Sequence, residues 1–185
     1  CDNCLLLLPL RAGAIAWNIV ILLYSVTGSI LLFRFGPFWF FTYPEWCIYG
    51  GIGMAVAATA LINSVALSNR SYIWNRASFF LWPFIIVVSA VRCIVMIVEL
   101  DRNATQIQWE CDNGGVAYTA NSGTTYATGT LPSGFCSSGY SSLRWAFIFS
   151  LVIDLIFQIY AFFLNWRFVK RLEHYNQMKG PFYGG

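Results

Sequence analysis

Three ionisable residues lie inside long apolar stretches of this chain: Arg92, Glu99 and Asp154. A charge inside a membrane is costly, and such residues either line ion and proton pathways or pair to hold helices together. Arg92 lies nine residues before Asp101, and Asp154 lies ten after Arg144. At 1.5 Å per residue, both should lie about 13–15 Å from the same membrane boundary. We therefore expect Arg92 and Asp154 to meet, with Glu99 near enough to the surface to be solvated.

Gln158 lies one helical turn after Asp154 and shares its face. A polar pathway and a structural ion pair both fit this cluster. The ion pair is favoured because no further acid or histidine continues the cluster through the core. The chain has one histidine, His174, so neither a Ser/His/Asp nor a Cys/His catalytic set is expected. We predict that the chain is not an enzyme and holds no metal or cofactor, with lipids as its bound molecules.

The composition indicates that these residues are positioned by membrane helices. Hydrophobic residues make up 58% of the 185 residues and charged residues only 10%, against roughly 25% charged in soluble domains. Four apolar stretches, 12–33, 46–67, 77–100 and 145–166, have the roughly 20 residues needed to cross a bilayer. The predicted fold is an all-α bundle of four transmembrane helices in a single domain, 1–185. An outer loop, 101–144, is the only sizeable part predicted outside the membrane, and a cytosolic tail, 167–185, follows the fourth helix.

The basic residues of the connections are distributed unequally between the two sides of the predicted membrane. The side rich in Lys and Arg is cytosolic in most membrane proteins. This rule places both termini in the cytosol. The formal net charge of +3 is too small to indicate a protein that binds nucleic acid. Seven basic residues lie on the side of the termini (Arg11, Arg70, Arg76, Arg167, Lys170, Arg171, Lys179) and three on the other (Arg34, Arg102, Arg144).

The outer loop carries two features typical of an oxidising compartment. Asn103 begins a sequon for N-glycosylation, which predicts a glycoprotein. Cys111 and Cys136 are the two cysteines of the loop, and a disulfide between them would contribute about 3 kcal/mol in the chain-entropy model. Two free thiols are the alternative. Residues 116–128 consist of two strand-like runs around a turn, which favours a small β-hairpin.

Cys1 and Cys4 precede the first apolar stretch on the predicted cytosolic side. Juxtamembrane cysteines are prone to S-acylation, which is the favoured interpretation. Plain thiols and half of a zinc site are the alternatives. A zinc site would need two further ligands.

Small residues repeat at four-residue spacing in the second apolar stretch, as Gly51 with Ala55 and Gly53 with Ala57. Such pairs allow two helix backbones to approach closely in a membrane. The spacing leaves open whether they face the chain's own bundle or another subunit.

Short motifs at both ends of the chain resemble those of a group of small four-span proteins. They are Cys1-x-x-Cys4 with Pro9-Leu10-Arg11-x-Gly13, and Arg171-Leu172-Glu173-His174-Tyr175 with Met178-Lys179-Gly180-Pro181. These motifs resemble uncharacterised fungal four-transmembrane proteins. The layout is distantly similar to lysosome-associated four-span proteins and to tetraspanins, although the tetraspanin Cys-Cys-Gly loop motif is absent. The resemblance implies a protein of the fungal plasma membrane or of a vacuolar or endosomal endomembrane, with no established activity.

The sequence as a whole favours a non-enzymatic tetraspan protein that organises membranes or partner proteins. Its disulfide-bonded outer loop is the predicted recognition surface, and lateral assembly should give a homo-oligomer or a complex with other membrane proteins. One alternative is a small transporter or channel built on Arg92, Asp154 and Gln158. The other is an accessory subunit of a larger membrane complex.

Overall fold

The computed structural model describes residues 3–4, 8–36, 44–69, 72–114 and 139–178. Four long helices dominate this part of the chain, and each is long and apolar enough to cross a membrane. The prediction of an all-α protein with four membrane-spanning helices is therefore confirmed. The long helices are α1 (Leu10–Phe35), α2 (Glu45–Ser68), α3 (Tyr72–Arg102) and α5 (Gly139–Met178); α4 (Ala104–Asp112) is short, and strands β1 (Asn3–Cys4) and β2 (Leu8–Pro9) pair antiparallel.

The four long helices form a closed ring of antiparallel neighbours. Helix α2 packs between α1 and α3, and α5 packs between α3 and α1. The α1–α2 contact is the most extensive, because glycines of α2 face α1. A Cβ added at Gly50 would lie 2.5 Å from the ring of Phe33, so no larger residue fits without a shift.

Buried apolar side chains form three clusters along the axis of the ring. The third cluster includes Ile107 of α4, which packs on Met96 and Leu100 of α3. Helix α4 therefore folds back onto the end of the bundle where α3 ends and α5 begins, called here the α4 end. The other clusters are Ala14, Leu67, Leu164 and Phe168 near the opposite end, and Ile21, Val56, Ala60, Trp82, Ile85 and Ala161 in the middle.

The helices are longer than the apolar stretches that predict them. Helix α5 has 40 residues and continues through much of the predicted tail, 167–185. It also begins inside the predicted outer loop, 101–144, which contains α4 as well. The helices extend beyond the predicted bounds because hydropathy marks only the part of a helix that crosses lipid and not its polar continuation. The predicted hairpin, 116–128, lies outside the described residues.

Arg11 ties the start of α1 to the end of α2. Its Nε donates to the carbonyl oxygen of Leu67 at 3.1 Å, and its Nη2 donates to that of Ser68. The last carbonyls of a helix have no donor within the helix, and a cation also favours the negative end of the helix dipole. Arg11 thus satisfies two carbonyls that α2 leaves open.

Replacing Arg11 with Met should lower the free energy of unfolding by about 1.5 kcal/mol, because charged hydrogen bonds to two carbonyls are lost. The measurement is the midpoint of unfolding in a denaturing-detergent titration. Arg167→Met, at an exposed basic position on the same predicted side, is the control and should change the midpoint little. Equal effects of the two substitutions would contradict the capping role.

Candidate functional site

Arg92 of α3 and Asp154 of α5 meet inside the bundle. Arg92 Nη2 donates to Asp154 Oδ2 at 2.9 Å, and the two residues are only 8% and 6% exposed. Gln158 Nε2 donates to the same carboxylate oxygen at 3.0 Å. The structure thus brings together all three residues that the sequence singled out, at one depth in the bundle.

The second arm of the Arg92 guanidinium reaches α2. Its Nη1 donates to the backbone carbonyl oxygen of Tyr49 at 3.3 Å. Gly53 makes room for this contact, since a Cβ there would lie 3.1 Å from Arg92 Nη1. One arginine therefore links three helices: its own α3, α5 through a carboxylate and α2 through a carbonyl.

Glu99 is not part of this cluster. It accepts a hydrogen bond from Arg102 at 3.3 Å near the end of α3. The side chain of Asn103 donates to the backbone carbonyl oxygen of Glu99 at 3.0 Å. Asn103 is half-buried and precedes the first turn of α4. Its glycosylation stays a prediction.

A cavity of about 250 Å³ lies between α1 and α5, on the α4 side of the ion pair. It follows α5 from Leu143 to Asp154, about 16 Å at the rise of an α-helix. Its floor is polar and includes Arg92, Asp154, Ser25 and Ser29. Its walls are mostly apolar and include Leu31, Leu32, Met96, Phe147 and Leu151.

Other polar contacts between helices were not predicted. Asn63 Nδ2 of α2 donates to Asn18 Oδ1 of α1 at 3.2 Å, and both residues are buried. Trp17 Nε1 donates to the carbonyl oxygen of Phe157 at 3.1 Å. The two asparagines could have been found from the sequence. They lie within apolar stretches at similar distances from the polar residues that bound those stretches, as Arg92 and Asp154 do.

The two predicted pairs of small residues lie on different faces of α2. Gly53 and Ala57 are buried and face the bundle, whereas Gly51 and Ala55 are exposed. A Cβ added at Gly51 would meet nothing within 4 Å. The structure therefore assigns one pair to packing inside the chain and leaves the other on the lipid-facing surface.

The structure describes the bonding state of three of the cysteines, Cys47, Cys93 and Cys111. Cys111 is disulfide-bonded, and Cys136 lies outside the described residues, so the pairing of these two cysteines stays a prediction. Cys47 and Cys93 are free. Acylation of Cys1 and Cys4 also stays a prediction. Among the described residues, no group of His, Cys, Asp and Glu could hold a metal ion.

No protein-family model, no curated protein and no solved structure matches this chain. The resemblance to fungal four-span proteins therefore stays a prediction from the sequence motifs. What the fold itself defines is a four-helix bundle of the kind found in integral membrane proteins.

Replacing Asp154 with Asn should destabilise the protein by about 3–5 kcal/mol, because it leaves the Arg92 charge buried without a counter-charge. The double substitution Arg92→Met with Asp154→Leu should recover most of this loss, since it removes both charges. Unfolding midpoints and the yield of folded protein measure both effects.

The control for this experiment is Glu173→Gln, which breaks the exposed pair between Lys170 and Glu173, 3.0 Å apart. It should cost less than about 1 kcal/mol. If Asp154→Asn is as stable as the wild-type protein, Arg92 and Asp154 do not hold the helices together.

Proposed function

We propose that this chain is a non-enzymatic membrane organiser, a four-span scaffold that associates laterally with copies of itself and binds partners through its outer loop. The observation that carries the proposal is the outward surface of α2. Gly51, Ala55 and Ala58 are exposed there, and their spacing places them on one side of the helix. These three residues are called the α2 outer face.

Small residues on a lipid-facing surface favour contact between helices. Helices in a bilayer gain nothing from the hydrophobic effect when they associate, so close backbone approach supplies much of the attraction. The inward residues Gly50 and Gly53 use this principle against α1, where the contact is most extensive. The α2 outer face offers the same type of surface to a neighbouring subunit.

The geometry of the ion pair favours a scaffold over a transporter or channel. Arg92 and Asp154 form a hydrogen-bonded ion pair, and Gln158 donates a further hydrogen bond to Asp154. On the side away from α4, the middle apolar cluster with Trp82 and Val56, both 0% exposed, follows directly. The closed ion pair and the apolar cluster beside it support a structural role for Arg92 and Asp154.

Helix α4 is suited to present the outer loop to a partner. Ile107 anchors it to α3, and a salt bridge of 2.8 Å between Arg144 and Asp101 joins α5 to the end of α3 beside it. In the proposed topology this end faces the lumen or the cell exterior, and both termini face the cytosol. A disulfide from Cys111 to Cys136 would then hold the loop to this platform, and a glycan on Asn103 would flank it.

The proposed assembly predicts that the wild-type protein forms a homo-oligomer in lipid nanodiscs of sufficient size. Ala55→Leu and Gly51→Leu should shift the population toward the monomer, because the larger side chain separates the two backbones. The measurement is the particle mass by light scattering.

The matched control is Ala16→Leu, a small-to-large change at an exposed position of α1, which should leave the particle mass unchanged. A wild-type protein that is monomeric across a range of lipid-to-protein ratios would contradict the proposal. So would an Ala16→Leu effect as large as that of Ala55→Leu.

The proposed disulfide can be tested by thiol labelling. In denaturant without reductant, Cys136→Ser should gain one labelled thiol relative to the wild-type protein, and mass spectrometry of the peptides should locate it at Cys111. Cys93→Ser is the control and should lose one labelled thiol, because Cys93 is free. Unchanged labelling of Cys111 in the Cys136→Ser variant would show that Cys111 has a different partner.

A further inference from the structure

The ion pair does not use all of its own hydrogen-bonding atoms. Arg92 Nε and Asp154 Oδ1 are buried and have no hydrogen-bond partner among the described residues. Both residues line the cavity between α1 and α5 and are more than nine-tenths buried. Buried polar atoms are nearly always paired, with protein, water or ligand. The floor of the cavity therefore offers one unused donor, one unused acceptor and the hydroxyl of Ser25, which also has no hydrogen-bond partner among the described residues.

The charge of this floor restricts what can bind there. The positive charge of Arg92 and the negative charge of Asp154 compensate each other at 2.9 Å. A ligand with a carboxylate, phosphate or ammonium group would bring an extra charge into a site that has no counter-charge for it. A hydroxyl group is neutral and combines a donor with acceptor lone pairs in one atom. It can donate to Asp154 Oδ1 and accept from Arg92 Nε–H.

The walls and the size of the cavity indicate the rest of the ligand. The side chains above the floor are mostly apolar, and the wall includes the exposed residues Leu31 and Ala146, so the cavity reaches the lipid-facing surface between α1 and α5. Its volume of about 250 Å³ is below the roughly 300–1,000 Å³ of pockets that enclose a drug-sized molecule. The cavity can hold the head and first part of a chain, and the remainder would extend into the bilayer.

We propose that the cavity between α1 and α5 is a binding site for a neutral lipid whose polar group is a hydroxyl. The hydroxyl lies on the floor formed by Arg92, Asp154 and Ser25, and the hydrocarbon part leaves between α1 and α5. This site is independent of the proposed lateral assembly, which uses the α2 outer face on a different helix.

The test compares three probes with one hydrocarbon chain and different head groups: oleyl alcohol, oleic acid and oleylamine. Delipidated protein in detergent is titrated with each, at a pH where the acid is ionised and the amine is protonated. Thermal unfolding and native mass spectrometry measure binding. We expect the alcohol to bind in a saturable manner at least about tenfold more tightly than the other two, a difference of about 1.4 kcal/mol.

Two substitutions fill the cavity without removing the ion pair. A Cβ added at Gly28 of α1 would meet nothing within 4 Å, so Gly28→Leu places a side chain in the open space. Ala146→Phe narrows the cavity from α5. Each should abolish the stabilisation by oleyl alcohol, while Ala16→Leu on α1 should retain it.

The proposal is wrong if none of the three probes binds saturably, which would indicate that water pairs the unused atoms of the floor. It is also wrong if the acid or the amine binds as well as the alcohol, or if both cavity-filling variants fold and still bind the alcohol undiminished. Particle mass, measured on the same samples, shows separately whether lateral assembly succeeds or fails.

Discussion

The absence of a hydrophobic driving force between helices in lipid is the constraint on which this fold depends. Contact between apolar helices then relies on close packing and on hydrogen bonds between them. Each neighbouring pair in the ring has such a polar link. Asn18 and Asn63 join α1 to α2, Trp17 joins α1 to α5, and Arg92 joins α3 to both α2 and α5. The costly charge of Arg92 thus supports two of the four helix contacts.

The sequence predicts the positions of the membrane-spanning helices and the depth of their charged residues, because both follow from counting residues along a helix. Arg92 and Asp154 meet as their distances from Asp101 and Arg144 indicate. Hydropathy predicts neither the full length of α5 nor the presence of α4, because helical segments rich in polar residues give no apolar signal. The cavity is not predictable in this way, because its volume depends on how far α1 and α5 separate.

The second helix shows why the sequence alone could not assign its small residues. In a soluble protein, the buried side of a helix is apolar and the exposed side polar, so composition distinguishes them. In α2 both sides are apolar, because one meets protein and the other is suited to meet lipid. Only the position of Phe33, Ser29 and Arg92 around Gly50 and Gly53 shows which side is internal. Burial therefore adds the information that residue type lacks.

The length of α5 has a mechanical consequence. Forty residues correspond to about 60 Å of helix, whereas a bilayer with its headgroup regions is about 40–45 Å thick. A single continuous helix, in contact with α4 near one end, is thus longer than the bilayer is thick. Its other end, residues 167–178, continues past the predicted apolar stretch as part of the same helix. Because the helix is unbroken, a tilt imposed at the outer loop displaces that end in the opposite direction.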